Sequence, residues 1–115
     1  MVYPGGIQLS TVNTIITPSA TPTIAVGGLL SLNSFSLTMS ANITGFTISG
    51  GITGYSQYIV YITGNSTVAY TVSNNLGATI KTNWTSPITI IANGKAILSI
   101  RYDSTNYYLK LDLYN

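Results

Sequence analysis

The chain of 115 residues contains no histidine, no cysteine and no glutamate. Its only acidic side chains are Asp103 and Asp112, and four Lys and Arg residues give a net charge of +2. General acid–base catalysis usually depends on His or Glu, and an activated nucleophile needs a base beside it. Hydroxyl side chains are abundant here, but they have almost no partner that could activate them. We therefore expect a protein that is not an enzyme.

The same absences bear on metal ions, cofactors and disulfides. Zinc sites are built from Cys and His, and calcium sites usually gather several carboxylates. Nothing in the spacing of the two aspartates indicates such a cluster. We therefore expect no metal site and no cofactor, and the chain cannot form a disulfide.

Charge is also scarce, since 5% of the residues are charged and 45% are hydrophobic, whereas soluble domains average about 25% charged residues. Apolar runs are far shorter than the roughly 20 residues of a membrane span, so we expect no membrane insertion. The few charges mix in sign and form no basic stripe, so we expect no nucleic-acid partner. A subunit that buries surface against copies of itself needs fewer solubilising charges, which predicts a homo-oligomer.

The residue pattern predicts strands throughout. Branched and aromatic residues are common, and apolar and polar positions alternate clearly in Lys95–Tyr102 and Asn106–Leu113. Gln57–Ile62 is apolar on both faces, as in a central or interface strand. Asn93-Gly94 predicts a two-residue hairpin between Ile88–Ile91 and the strand that follows. Many short strands separated by turns favour an all-β chain folded as an antiparallel sandwich or jelly-roll-like domain. Further candidate strands are Ile7–Ile16, Thr23–Val26, Phe35–Met39, Ile43–Ile48, Thr67–Val72 and Thr79–Thr82.

The N-terminal segment differs in composition from the rest. Residues 1–19 are interpreted as an extended arm and linker, and residues 20–115 as a β-rich head domain. The segment Ile7–Ile16 could pair with a neighbouring subunit, or it could be the first strand of its own sheet, and the sequence leaves both open. The arm's apolar attachment residues are Ile7, Leu9, Val12, Ile15 and Ile16.

Aromatic residues are the candidate receptor or interface contacts. Trp84 lies in a polar stretch, where its ring could stack on a sugar, pack on a neighbouring subunit or cap the core. Tyr55, Tyr58, Tyr61 and Tyr108 are surface or interface candidates, because Tyr supplies contact area at low entropic cost. A host surface glycan is accordingly a candidate partner.

Motifs in the C-terminal two-thirds resemble a known class of proteins. Residues 50–57 form a Gly-rich turn ending in Gln before the strand Ile59–Ile62, and Ser86–Ile90 follows a stretch rich in Asn, Gly and Thr. The chain closes with the apolar run 94–103 and the pair Tyr107-Tyr108. Over residues 20–113 this resembles the distal or head domains of tailed-phage fibres and related virion surface proteins. It departs from them in having Ser104 where Gly is usual and no Trp in the closing aromatic pair.

The resemblance implies a homotrimer displayed on a virion, attached to other virion proteins through the arm and presenting loops to the host. One alternative is a capsid decoration protein that stabilises the shell. Another is a subunit of an extracellular cell-surface filament, in which Ile7–Ile16 completes the sheet of the next copy by strand addition.

Overall fold

The computed structural model describes residues 13–26, 34–51 and 57–115. All regular structure in these ranges is β, without a helix, which confirms the all-β expectation. No helix within the described ranges is long and apolar enough to cross a membrane. The strands are β1 (Asn13–Ile15), β2 (Thr23–Val26), β3 (Ser34–Thr38), β4 (Thr47–Gly50), β5 (Gln57–Thr63), β6 (Tyr70–Val72), β7 (Ile80–Thr82), β8 (Ile88–Ile90), β9 (Lys95–Tyr102) and β10 (Tyr107–Tyr114).

The first half of the chain winds as a solenoid-like stack. Strands β1, β3 and β5 lie side by side in parallel, and β2 and β4 form a second parallel pair. The connecting segments stack as well, since the Thr44 amide donates to the Ala20 carbonyl at 2.9 Å and the Phe46 amide donates to the Leu76 carbonyl at 3.1 Å. Each turn of the chain therefore lies against the previous one.

The second half extends this stack with antiparallel strands. β9 runs antiparallel to β5, and β10 runs antiparallel to β9. β7 pairs in parallel with the start of β10, which completes a six-stranded sheet in the order β1-β3-β5-β9-β10-β7. β6 and β8 form a separate antiparallel pair. The final hairpin thus prolongs the sheet that the coils begin.

This architecture corrects the expectation of an antiparallel sandwich or jelly roll. Alternating strands and Gly- or Asn-rich turns look the same in sequence whether the chain folds back on itself or turns a corner into the next coil. Asn93-Gly94 illustrates the point: Asn93 has a φ of 60°, and the Gly94 amide donates to the Ile91 carbonyl at 2.8 Å. A turn forms, but β8 pairs with β6 and not with β9, so the expected hairpin is wrong.

One apolar core lies inside the coils and beneath the sheet. In β9 the alternation places Ala96, Leu98 and Ile100 inside, each at most 1% exposed, which confirms the predicted face. Within the described ranges no polar or charged residue is buried to that degree. Full burial of a large aliphatic or aromatic side chain stabilises a fold by about 1.5–3 kcal/mol. The largest fully buried side chains are Tyr58, Phe35, Ile24, Leu37, Met39, Ile43, Ile62, Ile90, Leu98, Ile100, Val60 and Val72.

Candidate contact surface on the outer face of the sheet

The side of the six-stranded sheet that points away from the core, here called the outer face, carries most of the chain's charge. Directly paired residues project from the same side of a sheet, and alternate residues along a strand share a side. The register pairs Gln57 with Arg101, Arg101 with Tyr108, and Tyr108 with Lys81. Five of the six charged side chains therefore project from the outer face, namely Lys81, Lys95, Arg101, Lys110 and Asp112.

A groove of about 500 Å³ crosses this face over β5, β9 and β10. On one side the Arg101 guanidinium donates to the Gln57 amide oxygen at 3.1 Å. On the other the Lys110 ammonium lies 3.7 Å from the Asp112 carboxylate. Because such exposed ion pairs add at most about 1 kcal/mol, this pair positions charge more than it stabilises the fold. The groove is lined by Gln57, Asn83, Ser99, Arg101, Tyr108, Leu109, Lys110 and Asp112.

Tyr108 is held in place at the border of the groove by the turn between β9 and β10. Asp103 accepts the backbone amides of Asn106 at 2.7 Å and Thr105 at 2.9 Å, and it accepts the Tyr108 hydroxyl at 2.7 Å. The Asn106 amide, followed by the Tyr108 hydroxyl, lowers the pKa of the Asp103 carboxyl. The Tyr108 ring, 44% exposed, is thereby fixed before any ligand arrives.

Two other tyrosines support the same hairpin from inside. The rings of Tyr102 and Tyr107 stack with centroids 4.6 Å apart. The Tyr107 hydroxyl donates to the Gly50 carbonyl at 2.8 Å, which links the hairpin to the end of β4. Burial, with smaller contributions from Tyr102 and Tyr58, raises the pKa of Tyr107. These contacts fix the last hairpin on the coil stack.

The structure places the tyrosines predicted as contacts in different environments. Tyr61 is 50% exposed on the outer face, and Tyr108 borders the groove, so both can contact a partner. Tyr58 is 2% exposed and packs in the core, because its position in β5 has the same parity as Val60. Tyr55 lies outside the described residues.

Trp84 is also placed in the interior, at 9% exposure. Its indole nitrogen donates to the Ser73 carbonyl at 3.0 Å, and the Thr82 hydroxyl donates to the Trp84 carbonyl at 3.1 Å. The ring therefore caps the core and fastens the loop after β6 to the end of β7. The sequence left three roles open for this ring, namely stacking on a sugar, packing on a neighbouring subunit and capping the core, and its burial corresponds to the third.

Only the end of the predicted arm falls within the described residues, and Ile7, Leu9 and Val12 lie outside them. β1 pairs in parallel with β3 of its own chain. Ile15 projects from the outer face and is 81% exposed, whereas Ile16 is 4% exposed and donates its amide to the Ser36 carbonyl at 2.8 Å. Residues 13–16 thus belong to the sheet.

Sequence reasoning missed the polar residues that line the groove, above all Gln57, Arg101 and Lys110. The available signal was that the charges of β9 and β10 all fall on the polar side of two strongly alternating strands. Recognising one surface also required knowing that β5, β9 and β10 are neighbours.

No protein-family model, curated protein or solved structure matches this chain. The function of this chain is therefore inferred from its residues, its fold and the outer face of its sheet.

Proposed function

We propose that this chain is a non-enzymatic structural protein of a virion surface, of the small-fibre or head-fibre type, and that it contacts the host through the outer face. The observation that carries the proposal is the concentration of charge on that face. Five of the six charged side chains and the exposed rings of Tyr61 and Tyr108 project from a single sheet.

The rigidity of this surface supports a role in attachment. Its side chains stand on paired strands that rest on an apolar core, and the ring of Tyr108 at its border is held by the hydrogen bond that its hydroxyl donates to Asp103. A surface that is ordered before binding loses less conformational entropy when a partner docks. The resemblance to phage fibre heads adds a homotrimer to the proposal, and the exposed apolar residues Ile15, Leu113 and Tyr114 support contacts between copies.

The groove chemistry favours a host surface glycan as the partner. Arg101, Lys110 and Asn83 supply hydrogen-bond donors, and Asp112 supplies an acceptor. The Tyr108 ring offers a flat apolar surface beside them. A sugar presents hydroxyl groups and apolar C–H faces together, so this mixture of polar groups and one ring suits it.

The test is binding of labelled protein to envelopes of the host cell. Arg101→Ala and Tyr61→Ala should each weaken binding about tenfold or more, while Val68→Ser, at an exposed position of 46% outside the sheet, should leave it unchanged. Circular dichroism should show the same fold for all three variants. Envelope binding that is absent, or equal in all variants, would refute host contact through this face and favour the decoration role.

A further inference from the structure

The groove on the outer face has an unbalanced charge. Two cationic side chains, Arg101 and Lys110, line it together with the carboxylate of Asp112. The Lys110 ammonium lies 3.7 Å from that carboxylate, so the two charges largely cancel at a distance. The Arg101 guanidinium donates to the neutral amide of Gln57 at 3.1 Å. One full positive charge therefore faces the groove beside a neutral partner.

The rest of the chain does not balance this charge. The other acidic side chain, Asp103, accepts the Tyr108 hydroxyl and two backbone amides of its own turn. Residues 1–80 carry no charged side chain, so the segments outside the described ranges cannot supply a counter-charge. The outer face as a whole presents four cationic side chains against one carboxylate. Its charge is therefore complementary to an anionic ligand.

The strand register places three cations around the ring of Tyr108. Lys81 of β7 and Arg101 of β9 pair with Tyr108 from either side, and Lys110 follows two residues later in β10. Neighbouring strands lie about 4.8 Å apart and alternate residues about 6.8 Å apart, so the Cα atoms of the three cations lie within about 10 Å of one another. A ligand that stacks on the ring therefore brings its substituents within reach of these charges.

We propose that the groove binds an acidic glycan, with a sugar carboxylate on Arg101 and the face of the sugar ring on Tyr108. The inference rests on the proposed function, because this groove is part of the surface proposed to contact the host. The planar guanidinium matches a carboxylate with two parallel hydrogen bonds, and such charge-assisted bonds are stronger than those a neutral sugar makes. The contact with Gln57 leaves further N–H donors of Arg101 for this purpose. An anionic lipid surface fits the site less well, because these groups line a concave groove while the exposed side chains of Ile15 and Tyr61 lie outside it.

A pair of matched probes tests the requirement for negative charge. Polygalacturonate and its fully methyl-esterified form share one backbone and differ in whether the carboxylates are charged. In isothermal titration calorimetry the protein should bind polygalacturonate about tenfold or more tightly than the ester, because hydrogen bonds to charged groups are the stronger ones. Equal affinity for the two probes, or binding to neither, would overturn the proposal. Tighter binding to vesicles of anionic lipid than to polygalacturonate would also overturn it and would indicate a membrane surface as the partner.

Two variants that each remove one positive charge separate the groove from general attraction. Arg101→Gln acts inside the groove, whereas Lys95→Gln acts six residues earlier in β9, about 20 Å from Arg101. Arg101→Gln should weaken binding to polygalacturonate about tenfold through loss of a charged hydrogen-bond donor. Lys95→Gln should weaken it less than about twofold, because about 8 Å is the screening length at physiological salt. Equal losses in the two variants would overturn the proposal.

A third variant should change the affinity in the opposite direction. Asp112→Asn keeps an acceptor oxygen but removes the negative charge beside Lys110, so binding to polygalacturonate should tighten about two- to fivefold, as suits a weak exposed ion pair. A damaged fold cannot produce tighter binding, and circular dichroism should show the same fold for all variants. Unchanged or weaker binding by Asp112→Asn would overturn the proposal.

The acidic glycan and the host contact fail in different ways. The titrations with polygalacturonate use no host envelopes, so their result does not depend on the host. Envelope binding that is lost in Arg101→Ala, in a protein that does not distinguish polygalacturonate from its ester, would refute the acidic glycan and leave the proposed function standing. Absence of envelope binding refutes the proposed function whichever probe the groove binds.

Discussion

Substitution of Leu109 by alanine should destabilise the fold strongly. Leu109 is 3% exposed in β10, where it pairs with Ile100 of β9 and with Thr82 of β7. Its side chain therefore has sheet neighbours on both sides and the coil core below. Little rearrangement could fill the space that the truncation leaves.

The magnitude follows from the atoms removed. Leucine to alanine deletes three carbon atoms, and each buried CH₂ group is worth about 0.8 kcal/mol, or about 2.4 kcal/mol together. The residual cavity adds to this, which gives a loss in the free energy of unfolding of about 2–5 kcal/mol. For a domain of this size each kcal/mol lowers Tm by about 3–5 °C, so Tm should fall by at least about 6 °C.

The assay is urea and thermal unfolding followed by circular dichroism, with Lys110→Ala as the matched control. The Lys110 side chain is 62% exposed and makes one surface ion pair, so its loss should change the free energy of unfolding by less than about 1 kcal/mol. Equal effects at Leu109 and Lys110 would refute the assigned register, because a one-residue slip exchanges the two faces.

Three further predictions concern pH and two specific contacts. The free energy of unfolding should be nearly constant between about pH 5 and 9. Because the pKa of Asp103 is lowered in the fold, stability falls only as the pH drops below about 4, and because the pKa of Tyr107 is raised, stability falls only above about pH 10. A steep change of Tm between about pH 5 and 9 would contradict this. Gly64→Ala should cost about 1–3 kcal/mol in urea unfolding, since a Cβ atom would collide with the Ile91 carbonyl. An effect no larger than that of Ser66→Ala, an exposed neighbour, would argue against that close approach. Tyr107→Phe should cost about 0.5–1.5 kcal/mol through loss of the hydrogen bond to Gly50, and unchanged stability would show that this bond contributes nothing.

Local features of the fold could be predicted because a half-buried strand must alternate. β9 follows the predicted bounds, and in β10 the inward residues Leu109 and Leu111 are 3% and 8% exposed, as expected. Leu113 continues the same alternation but is 43% exposed, because neither β7 nor another described strand covers the end of β10. Alternation predicts which side a residue faces, and the neighbouring strands decide whether that side is covered.

Strand partners could not be predicted, because pairing depends on contacts far apart in sequence. Nothing local in Ile80–Thr82 indicates that it lies in parallel beside β10. The burial of Trp84 could not be predicted for the same reason. Its neighbours in sequence are polar, yet the ring is buried because the Ser73 carbonyl, eleven residues away, accepts its N–H. The groove likewise arises only when β5, β9 and β10 come together.

Cryo-microscopy of the particle from which this chain comes is the most direct test of its proposed role at a virion surface. We expect ordered copies on the exterior of the particle, with the outer face and its groove directed toward the surroundings. Density that places the chain inside the particle, or that packs Arg101, Tyr108 and Lys110 down against the shell, would contradict a host-contacting surface protein.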